Sequence, residues 1–528
     1  MIESAIHRVV ENMVANGPVG WTTGVLECNA QTGIRRLKTY QAGYRIIPIR
    51  DRNALLSSLF GSQEDIQFLE MAVKKRTGWD NVIIELTCDT SGAFWLVSIP
   101  RGVERTGGGR PGYLMKLDPA YELPWPGGDQ EAGTSVAQGD PALAAERFRE
   151  YLARRTKIRG KPDKLRPPAS TADIEGAERK IGRPLPHDLR ALYLLADGEA
   201  DSTHGSLLSG QSWMSLEAMV ATLEENNREY GTAMRRLGWN LAWDSTILDP
   251  QPPETVRRCG GHPAWIPIAT DMTGNYLAVD MAPARHGYPG QVISIGSDHD
   301  EPAYVAPSVT SLLGHYLTVL ESRDDESDDA DDFVAAPDYR LGPSRVISDS
   351  DGLSQISPTV QAITISTDDR TVDLTPLAAT PNLRELHAYC TVSDLSPLRQ
   401  LPIESLHITL RDTDLSALAG HRFLRSLVLK TRRPVDINAL RSIPTLRNVD
   451  LSGAQVYNLS ILADLPDLRC LALQPQQWDV LLDKGKPLAA LVAARLMVEE
   501  PSMEEALTWS LRLGGKVSEV FRVSGRIR

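Results

Sequence analysis

The sequence of 528 residues contains few cysteines, and their positions suggest no shared structural task. No Cys-x-x-Cys pair occurs, which excludes a zinc ribbon and disfavours a disulfide framework, and predicts a reducing compartment. No apolar run approaches the roughly 18 residues of a membrane span, and the N-terminus lacks a basic region followed by an apolar core. We therefore expect a cytoplasmic protein without a membrane segment. The five cysteines are Cys28, Cys88, Cys259, Cys390 and Cys470.

Motifs that mark enzyme active sites are also missing. The triplet Gly107–Gly109 lacks the Lys-Ser/Thr pair and the following helix of a phosphate loop, so we interpret it as a plain loop. Asp298, His299 and Asp300 are adjacent on a loop, where side chains point apart, and no nucleophile motif accompanies them. The sequence therefore predicts no catalytic residue, no metal site and no cofactor. An enzyme with its activity in the N-terminal domain stays open as an alternative.

Basic residues are outnumbered. The sequence carries 68 acidic against 56 basic residues, a net charge of −12 at pH 7. This charge disfavours nucleic acid and anionic membranes as partners and favours a basic protein. A dense acidic run extends from Glu321 to Asp332, and its self-repulsion predicts disorder. We interpret the run as a tether, with a docking tail for a basic partner as the alternative.

The strongest positive signal is a repeat between Val360 and Leu473. Each unit opens with a box that consists of Asp or Asn, an apolar residue, two variable residues and an apolar residue. An apolar–x–x–apolar–x–apolar run follows each box. Because the boxes agree in type and in phase, they identify a tandem array. The boxes begin at Asp373, Asp394, Asp414, Asp436 and Asn458.

The two halves of a unit predict two kinds of local structure. Apolar residues two apart, such as Leu427 and Leu429, predict a short strand with one buried face. The apolar residues of the box are three apart, as in one helical or 3₁₀ turn, and the leading Asp or Asn caps that turn. One unit cannot bury its own apolar side, so the units must stack into a solenoid. The segment resembles the short leucine-rich repeats of bacterial proteins, which implies parallel strands.

Strand side chains that alternate with the core leucines are expected on the concave face of this solenoid. An extended, mixed polar surface of this kind suits protein binding, although plain solvated strand residues are the simpler alternative. A metal pair of the two histidines is less favoured, because no carboxylate or thiol spacing supports it. The candidate binding residues on this face are Glu385, His387, Tyr389, His407, Thr409, Val428, Lys430, Asn448 and Asp450.

Residues 1–122 predict a small α+β domain. Apolar residues recur at helical spacing from Ile6 to Met13, and Val82–Thr87 and Ala93–Ile99 are apolar runs on either side of a turn. Gly78-Trp79 before one strand and Phe94-Trp95 inside the next are similar to small bacterial immunity proteins of the YezG type. This resemblance is topological, and it transfers no residue role.

A second α+β domain begins with a capping box of Ser170 and Asp173. The motif residues that follow are Ile174, Ala177, Glu178, Ile181, Gly182, Pro184–Pro186, Asp188, Leu189, Asp197, Gly198, Trp265–Ile268, Asp271, Gly274, Asn275, Leu277–Asp280, Gly287, Gly290–Val292, Val305, Ala306 and Ser308. In order and spacing they resemble the SUKH superfamily, which includes fungal cell-wall synthesis regulators and many bacterial immunity proteins. Asp197-Gly198 departs from the Asn-Gly that is frequent in the family, but both pairs can turn the chain.

The resemblance implies that this domain acts by binding another protein, often a polymorphic toxin in bacterial members. We select Trp265, Asp271 and Asn275 as its candidate protein-binding residues. Two of them have a purely structural alternative, because Trp265 is also typical of a core or half-buried anchor and Asp271 is also suited to fixing its turn.

These predictions together describe a non-enzymatic α+β protein. The most favoured function is an immunity-type protein that neutralises a toxin, or a regulatory adaptor. A scaffold in cell-wall or growth regulation is the alternative within the binding class. The expected divisions are a small α+β domain at 1–122, a linker with a helix at 123–169, a SUKH-like domain at 170–321, an acidic flexible linker at 322–355, leucine-rich repeats at 356–475, and a C-terminal cap at 476–528 with a helix over 486–511 and a strand over Val517–Val523.

Overall fold

The structure is a computed structural model, and its account of the chain has gaps. It describes residues 2–30, 34–41, 44–46, 63–100, 102–106, 112–118, 130–200, 207–208, 210–235, 246–296, 302–321, 344–347, 350–367, 371–392, 394–410, 415–483, 488, 490–498, 502–515 and 519–527. The glycine triplet at 107–109, the Asp298–Asp300 loop, the acidic run after Glu321 and the box residue Asp414 lie outside these ranges.

The N-terminal part is an antiparallel sheet with two helices on one face. Its elements are α1 (Ile2–Asn16), β1 (Thr23–Asn29), β2 (Ile34–Gln41), β3 (Tyr44–Ile46), α2 (Gln63–Thr77), β4 (Ile83–Asp89), β5 (Ala93–Ile99), β6 (Val103–Thr106) and β7 (Gly112–Lys116). Helix α1 buries the stripe that the sequence predicted, including Ile6, Val9 and Met13. This stripe packs on Leu69 of α2 and Leu86 of β4, which gives the domain its own core.

The central part is an antiparallel sheet covered by helices. Its elements are α3 (Pro141–Arg159), α4 (Thr171–Ile181), α5 (His187–Tyr193), β8 (Ser212–Trp213), α6 (Leu216–Arg235), β9 (Trp265–Thr270), β10 (Asn275–Asp280), β11 (Gln291–Gly296), β12 (Ala303–Ala306) and α7 (Val309–Glu321), with sheet order β12-β11-β10-β9-β8. The predicted capping box of Ser170 and Asp173 starts α4. Helix α3, which the sequence placed in a linker, buries Phe148 and Tyr151 in this core.

The repeat region is the predicted solenoid, and its strands form a parallel ladder. The strands are β13 (Ser344–Ile347), β14 (Ala362–Ile365), β15 (Glu385–Val392), β16 (Ser405–Leu410), β17 (Ser426–Thr431), β18 (Asn448–Gly453), β19 (Cys470–Leu473) and β20 (Ala493–Leu496), and α8 (Pro475–Asp483) precedes the last of them. The boxes form 3₁₀ turns, and Asp373 and Asp394 each accept the backbone N–H two residues on, at 2.9 and 2.8 Å. The leucines between strands and turns form one continuous core. The predicted solenoid fold is therefore confirmed, whereas the cap positions of these two turns are Leu374 and Leu395, each one residue after the aspartate.

The C-terminal region differs from the predicted helix over 486–511. Strand β20 occupies part of that range, followed by α9 (Met503–Arg512) and β21 (Phe521–Arg526). Leu491, Ala494 and Leu496 follow the apolar template of the repeat, so this segment adds one more parallel strand. The sequence did not predict β20, because α8 occupies the position at which the other units have a 3₁₀ box.

The two ends of the chain are joined. Strand β7 pairs antiparallel with β20, so the hairpin β6–β7 from the N-terminal part covers the end of the solenoid sheet. Strand β21 pairs antiparallel with β5 and completes the N-terminal sheet. Between them, the buried carboxylate of Glu85 accepts the Tyr113 hydroxyl at 2.8 Å and the backbone N–H of Met503 at 2.9 Å.

Candidate protein-binding surfaces

The turn between β9 and β10 is built by the two predicted residues Asp271 and Asn275. Asp271 accepts the backbone N–H of Thr273 at 2.8 Å and the side-chain amide of Asn275 at 2.7 Å. Burial works to raise the pKa of Asp271, but these hydrogen bonds outweigh burial and lower it. Both side chains are thus engaged in shaping the turn. They present Met272 at its tip, 72% exposed and with a φ of 66°, a conformation that L-residues rarely adopt.

Trp265 is not part of any exposed surface. Its side chain is 2% exposed and packs with Val256, Cys259, Ala278 and Ile293 in a small core on one face of the central sheet. The sequence selected it because tryptophan is enriched at binding hot spots. The structure corrects this choice, because a strand with both faces covered buries a tryptophan as readily as it buries an isoleucine.

A cleft of about 400 Å³ opens beside the Met272 turn. Trp213, Met214 and Tyr276 contribute apolar or aromatic lining, while Arg166 and Glu199 line it with polar groups. Glu199 accepts the backbone N–H of Trp213 at 2.5 Å, so its carboxylate occupies the outer edge of the short strand β8. Such a cleft can accept a side chain of a partner that contacts Met272.

Glu199 and a second acid, Asp280, have unusual protonation. Burial raises the pKa of Glu199 to about 7 against the opposing effect of two backbone N–H donors. Burial likewise raises the pKa of Asp280 to about 7, although the N–H of Ala282 and the amide of Gln291 donate to it. Asp280 is fully buried in the central domain, so it serves the fold rather than a surface.

The concave face of the solenoid is open along only part of its length. Of the predicted residues, Tyr389 and Lys430 are exposed, and Glu385, His387, Thr409 and Val428 are partly buried. His407, Asn448 and Asp450 are buried, at 7%, 5% and 8% exposure. All three are therefore corrected, because a buried side chain offers no contact to a partner. The accessible region lies on β15, β16 and β17.

A bulge in β15 aims Tyr389 outward. His387 pairs with His407 and Thr391 pairs with Thr409, so three residues of β15 stand opposite one residue of β16. Bulges of this kind redirect side chains and are frequent at functional sites. Tyr389 is 57% exposed and its ring packs edge-on against His407, with 5.2 Å between centroids. His407 also contacts His387 at 5.6 Å, so the tyrosine is held in place by its neighbours.

A polar contact between the central domain and the solenoid was not predicted. It consists of Asp249, Arg258, Gln361, Arg384 and Glu404, and we call it the docking network. The backbone N–H of Asp249 donates to the side chain of Gln361 at 2.8 Å, and Arg258 donates to Glu404 at 2.8 Å. Arg384 bonds both acids, Glu404 at 2.7 Å and Asp249 at 3.3 Å. Within the described residues, the central domain is thus fixed to the first repeats.

The described residues contain no group of three or more His, Cys, Asp or Glu side chains placed to hold a metal ion. No helix in those ranges is long and apolar enough to cross a membrane. In the N-terminal part, the buried acid Glu85 is engaged in capping α9.

The central domain has recognisable relatives. Residues 168–315 match the SMI1 / KNR4 family (SUKH-1). This SUKH-1 segment includes α4 to α6, the sheet and the first part of α7, and therefore the Met272 turn and the cleft lining other than Arg166. The predicted SUKH resemblance is confirmed, on the motifs that carried it.

Several curated relatives match stretches of the chain of similar length. The cell wall assembly regulator SMI1 of Saccharomyces cerevisiae is 29% identical over 195 residues, which are 31% of this chain and 38% of the yeast protein. The glucan synthesis regulatory protein of Neurospora crassa is 30% identical over 188 residues, 30% of this chain and 35% of that protein. The cell wall biosynthesis/cell cycle regulator smi1 of Schizosaccharomyces pombe is 32% identical over 151 residues, 28% of this chain and 29% of that protein. The chain therefore spans about a third of the length of these relatives.

Solved structures align with a smaller part of the chain. An internalin C2 from Listeria monocytogenes is 27% identical, covers 22% of this chain and 52% of its own, and has a TM-score of 0.19. An internalin inlF from the same species is 23% identical, covers 27% and 49%, and has a TM-score of 0.21. The parallel ladder and its 3₁₀ boxes identify the solenoid independently of these proteins.

Proposed function

We propose that this chain is a non-catalytic regulatory adaptor that binds protein partners through its SUKH-1 segment and its repeats. The observation that carries the proposal is the docking network, which fixes the family-matched segment to the solenoid while Met272 and Tyr389 remain exposed. Two separate recognition surfaces on one framework suit a protein whose task is to hold others.

The relatives favour a regulatory role. Two relatives of the chain are named for the regulation of cell wall assembly or glucan synthesis. Because the aligned part is about a third of each relative, we transfer the class of function, regulation by binding, and not a particular pathway. Buried cysteines that form no disulfide in the part of the chain that the structure describes agree with action in the cytoplasm.

A second candidate function is neutralisation of a basic toxin. The net charge of −12 supports it, since an acidic protein attracts a basic partner and speeds association. Genomic context separates the two functions cheaply. A toxin gene beside this one favours the immunity function, whereas genes of envelope synthesis favour the regulator.

The adaptor proposal is tested by stoichiometric complex formation. The tagged full-length chain is used to purify its partner, and the mass of the complex is measured by light scattering. We expect Tyr389→Ala combined with Met272→Ala to reduce the recovered partner about tenfold or more, since aromatic anchors dominate interface energies. The matched control is Tyr457→Ala, a tyrosine on a loop of the solenoid that is 72% exposed.

Two outcomes would contradict the proposal. One is a complex that both variants form as well as the unaltered chain. The other is the absence of any stoichiometric partner together with substrate turnover by the purified chain, which would favour the alternative of an enzyme.

A further inference from the structure

One rim of the solenoid carries a column of stacked side chains just before the strands begin. Each residue of the column donates its backbone N–H to the carbonyl of the corresponding residue in the preceding unit, at 2.7 or 2.8 Å from Arg384 onward. The equivalent positions therefore lie directly above one another, about 4.8 Å apart as in any sheet. The rim column consists of Gln361, Arg384, Glu404, Arg425, Arg447 and Arg469.

The first half of the rim column shows what chemistry it binds. Arg384 donates to the carboxylate of Asp249 from the SUKH-1 segment, at 3.3 Å. This contact joins two parts of the protein that are 135 residues apart in sequence. The column thus already serves as a surface that holds an acidic side chain presented by another folded unit, through one guanidinium nitrogen of Arg384.

The second half of the rim column continues the same surface without a docked unit among the described residues. The side chains of Arg425 and Arg447 are 39% and 40% exposed. Arg425 approaches Glu404 only to 3.8 Å, and that carboxylate is already bonded by Arg258 and Arg384. Arg447 shares Asp467 with Arg469.

Charge along this rim is not balanced. In the part of the chain that the structure describes, the column and its partners contain five guanidinium groups and three carboxylates. The excess is positive, on a chain whose net charge is −12. The protein as a whole therefore repels polyanions. Only a ligand small enough to follow the rim can bind these arginines.

We infer that Arg425, Arg447 and Arg469 form a docking site for an acidic segment of a partner protein, placed next to the SUKH-1 segment. The site is continuous with the docking network, and its ligand chemistry is the one that Asp249 displays on Arg384. It is separate from the Met272 turn and the concave face, so it does not depend on the partner that those surfaces hold.

Fluorescence anisotropy with a labelled oligoglutamate peptide tests this site on the full-length chain. We expect saturable binding that weakens as salt is raised. Arg425→Gln with Arg447→Gln should lower the affinity about tenfold or more, because two charge-assisted pairs are lost. Arg399→Gln with Arg422→Gln is the matched control, since both arginines are exposed on the same solenoid and the net charge changes equally. The control should change the affinity less than about twofold.

Additional variants and ligands distinguish recognition of carboxylates from a general effect of net charge and from binding of nucleic acid. Arg425→Lys with Arg447→Lys keeps the charge and removes the fork, so an intermediate loss supports carboxylate recognition. Equal losses in the rim and control variants would mean that only net charge matters, and would overturn the inference. The absence of peptide binding would also overturn the inference. Tighter binding of a single-stranded oligonucleotide of equal charge, if it depended on the rim arginines, would overturn it as well and assign the rim to nucleic acid. Thermal unfolding of each variant confirms that it remains folded.

Discussion

At the scale of single residues, two buried acids of the SUKH-1 segment make the stability of the folded chain depend on pH. Glu199 and Asp280 both have a pKa raised to about 7 by burial, from ordinary values of 4.5 and 3.8. The folded chain therefore holds these protons at pH values where the unfolded chain has released them. The contribution of these two acids to the stability of the fold is greatest below their pKa values in the unfolded chain. It falls as pH rises from about 4 toward 7 and is constant at higher pH.

Glu199→Gln should flatten this dependence. One carboxylate oxygen accepts both the Trp213 and the Leu207 N–H groups, and the amide oxygen of glutamine can accept the same pair. The variant should gain stability at pH 8, on the order of 1–3 kcal/mol, and change little at pH 4. Thermal unfolding at several pH values measures the effect. Glu217→Gln, at an exposed position of α6, is the control, and an identical pH profile for both variants would contradict the assignment.

The candidate binding residues show how much of the site can be predicted from the sequence at the scale of single residues. Asp271 and Asn275 were selected as candidate binding residues, with fixing the turn as the alternative for Asp271, and their hydrogen bonds in the turn agree with that alternative. Met272 was not identified, because its exposure and positive φ follow from how those two side chains fold the turn. Trp265 illustrates the opposite limit, since residue type alone does not distinguish a buried tryptophan from an interface anchor.

At the scale of elements, the repeat separates core positions from surface positions along one strand. Leu427 is fully buried in β17, while Val428 beside it faces the concave side and is partly buried. Leu427→Ala should cost about 2–5 kcal/mol, from lost burial and the cavity that remains. Val428→Ala should cost less than about 1.5 kcal/mol. Urea unfolding measures both, and similar costs would show that the alternation does not govern stability.

Elements with a strict period were predictable, and elements that break the period were not. The boxes and strands from β14 to β19 follow a template whose physics is local, namely a capped turn and an alternating strand. Strand β20 follows the apolar half of the template, but α8 replaces its box, so periodicity alone assigned the segment to a helix. The bulge at Tyr389 is a matter of register between two strands, which no single strand reveals.

At the scale of the molecule, contacts between distant segments decide how the parts are arranged. Glu404 is buried, which works to raise its pKa, but Arg258, Arg425 and Arg384 outweigh burial and lower it. The interaction is therefore fully present above the ordinary pKa of a glutamate, and is lost as pH falls through the lowered value. The sequence placed Glu404 and Arg258 in separate domains and gave no sign of their contact, because pairing across 146 residues is set by tertiary structure.

Glu404→Gln should loosen the docking of the SUKH-1 segment on the repeats. Removing this carboxylate from a buried ionic network leaves Arg258 and Arg384 with only Asp249, at a cost of up to about 3–5 kcal/mol. Limited proteolysis and small-angle scattering should show faster cleavage and a larger radius of gyration. Asp464→Asn removes an exposed pair with Arg441 on the same solenoid and should have almost no effect. Unchanged scattering in Glu404→Gln would show that other contacts hold the two parts together.

The joined chain ends lead to a prediction that sequence order would not suggest. Strand β21 covers the edge of β5, and Phe521 and Val523 pack against the N-terminal core. A chain truncated after residue 518 leaves the backbone groups of β5 unpaired along one edge and removes apolar contacts from a core formed more than 400 residues earlier.

Hydrogen exchange should therefore increase in β5 and in α1 of the truncated chain, with protection factors reduced about tenfold or more for a loss of roughly 1.4 kcal/mol or more. Strand β11 of the SUKH-1 segment belongs to another sheet and serves as the internal control. If β5 stayed as protected as β11, the N-terminal sheet would be stable without its last strand. If both strands lost protection together, β21 would stabilise the SUKH-1 segment as well as the N-terminal sheet. Such an effect could pass through the hairpin β6–β7, which joins the N-terminal part to the end of the solenoid, and through the docking network, which joins the solenoid to the SUKH-1 segment.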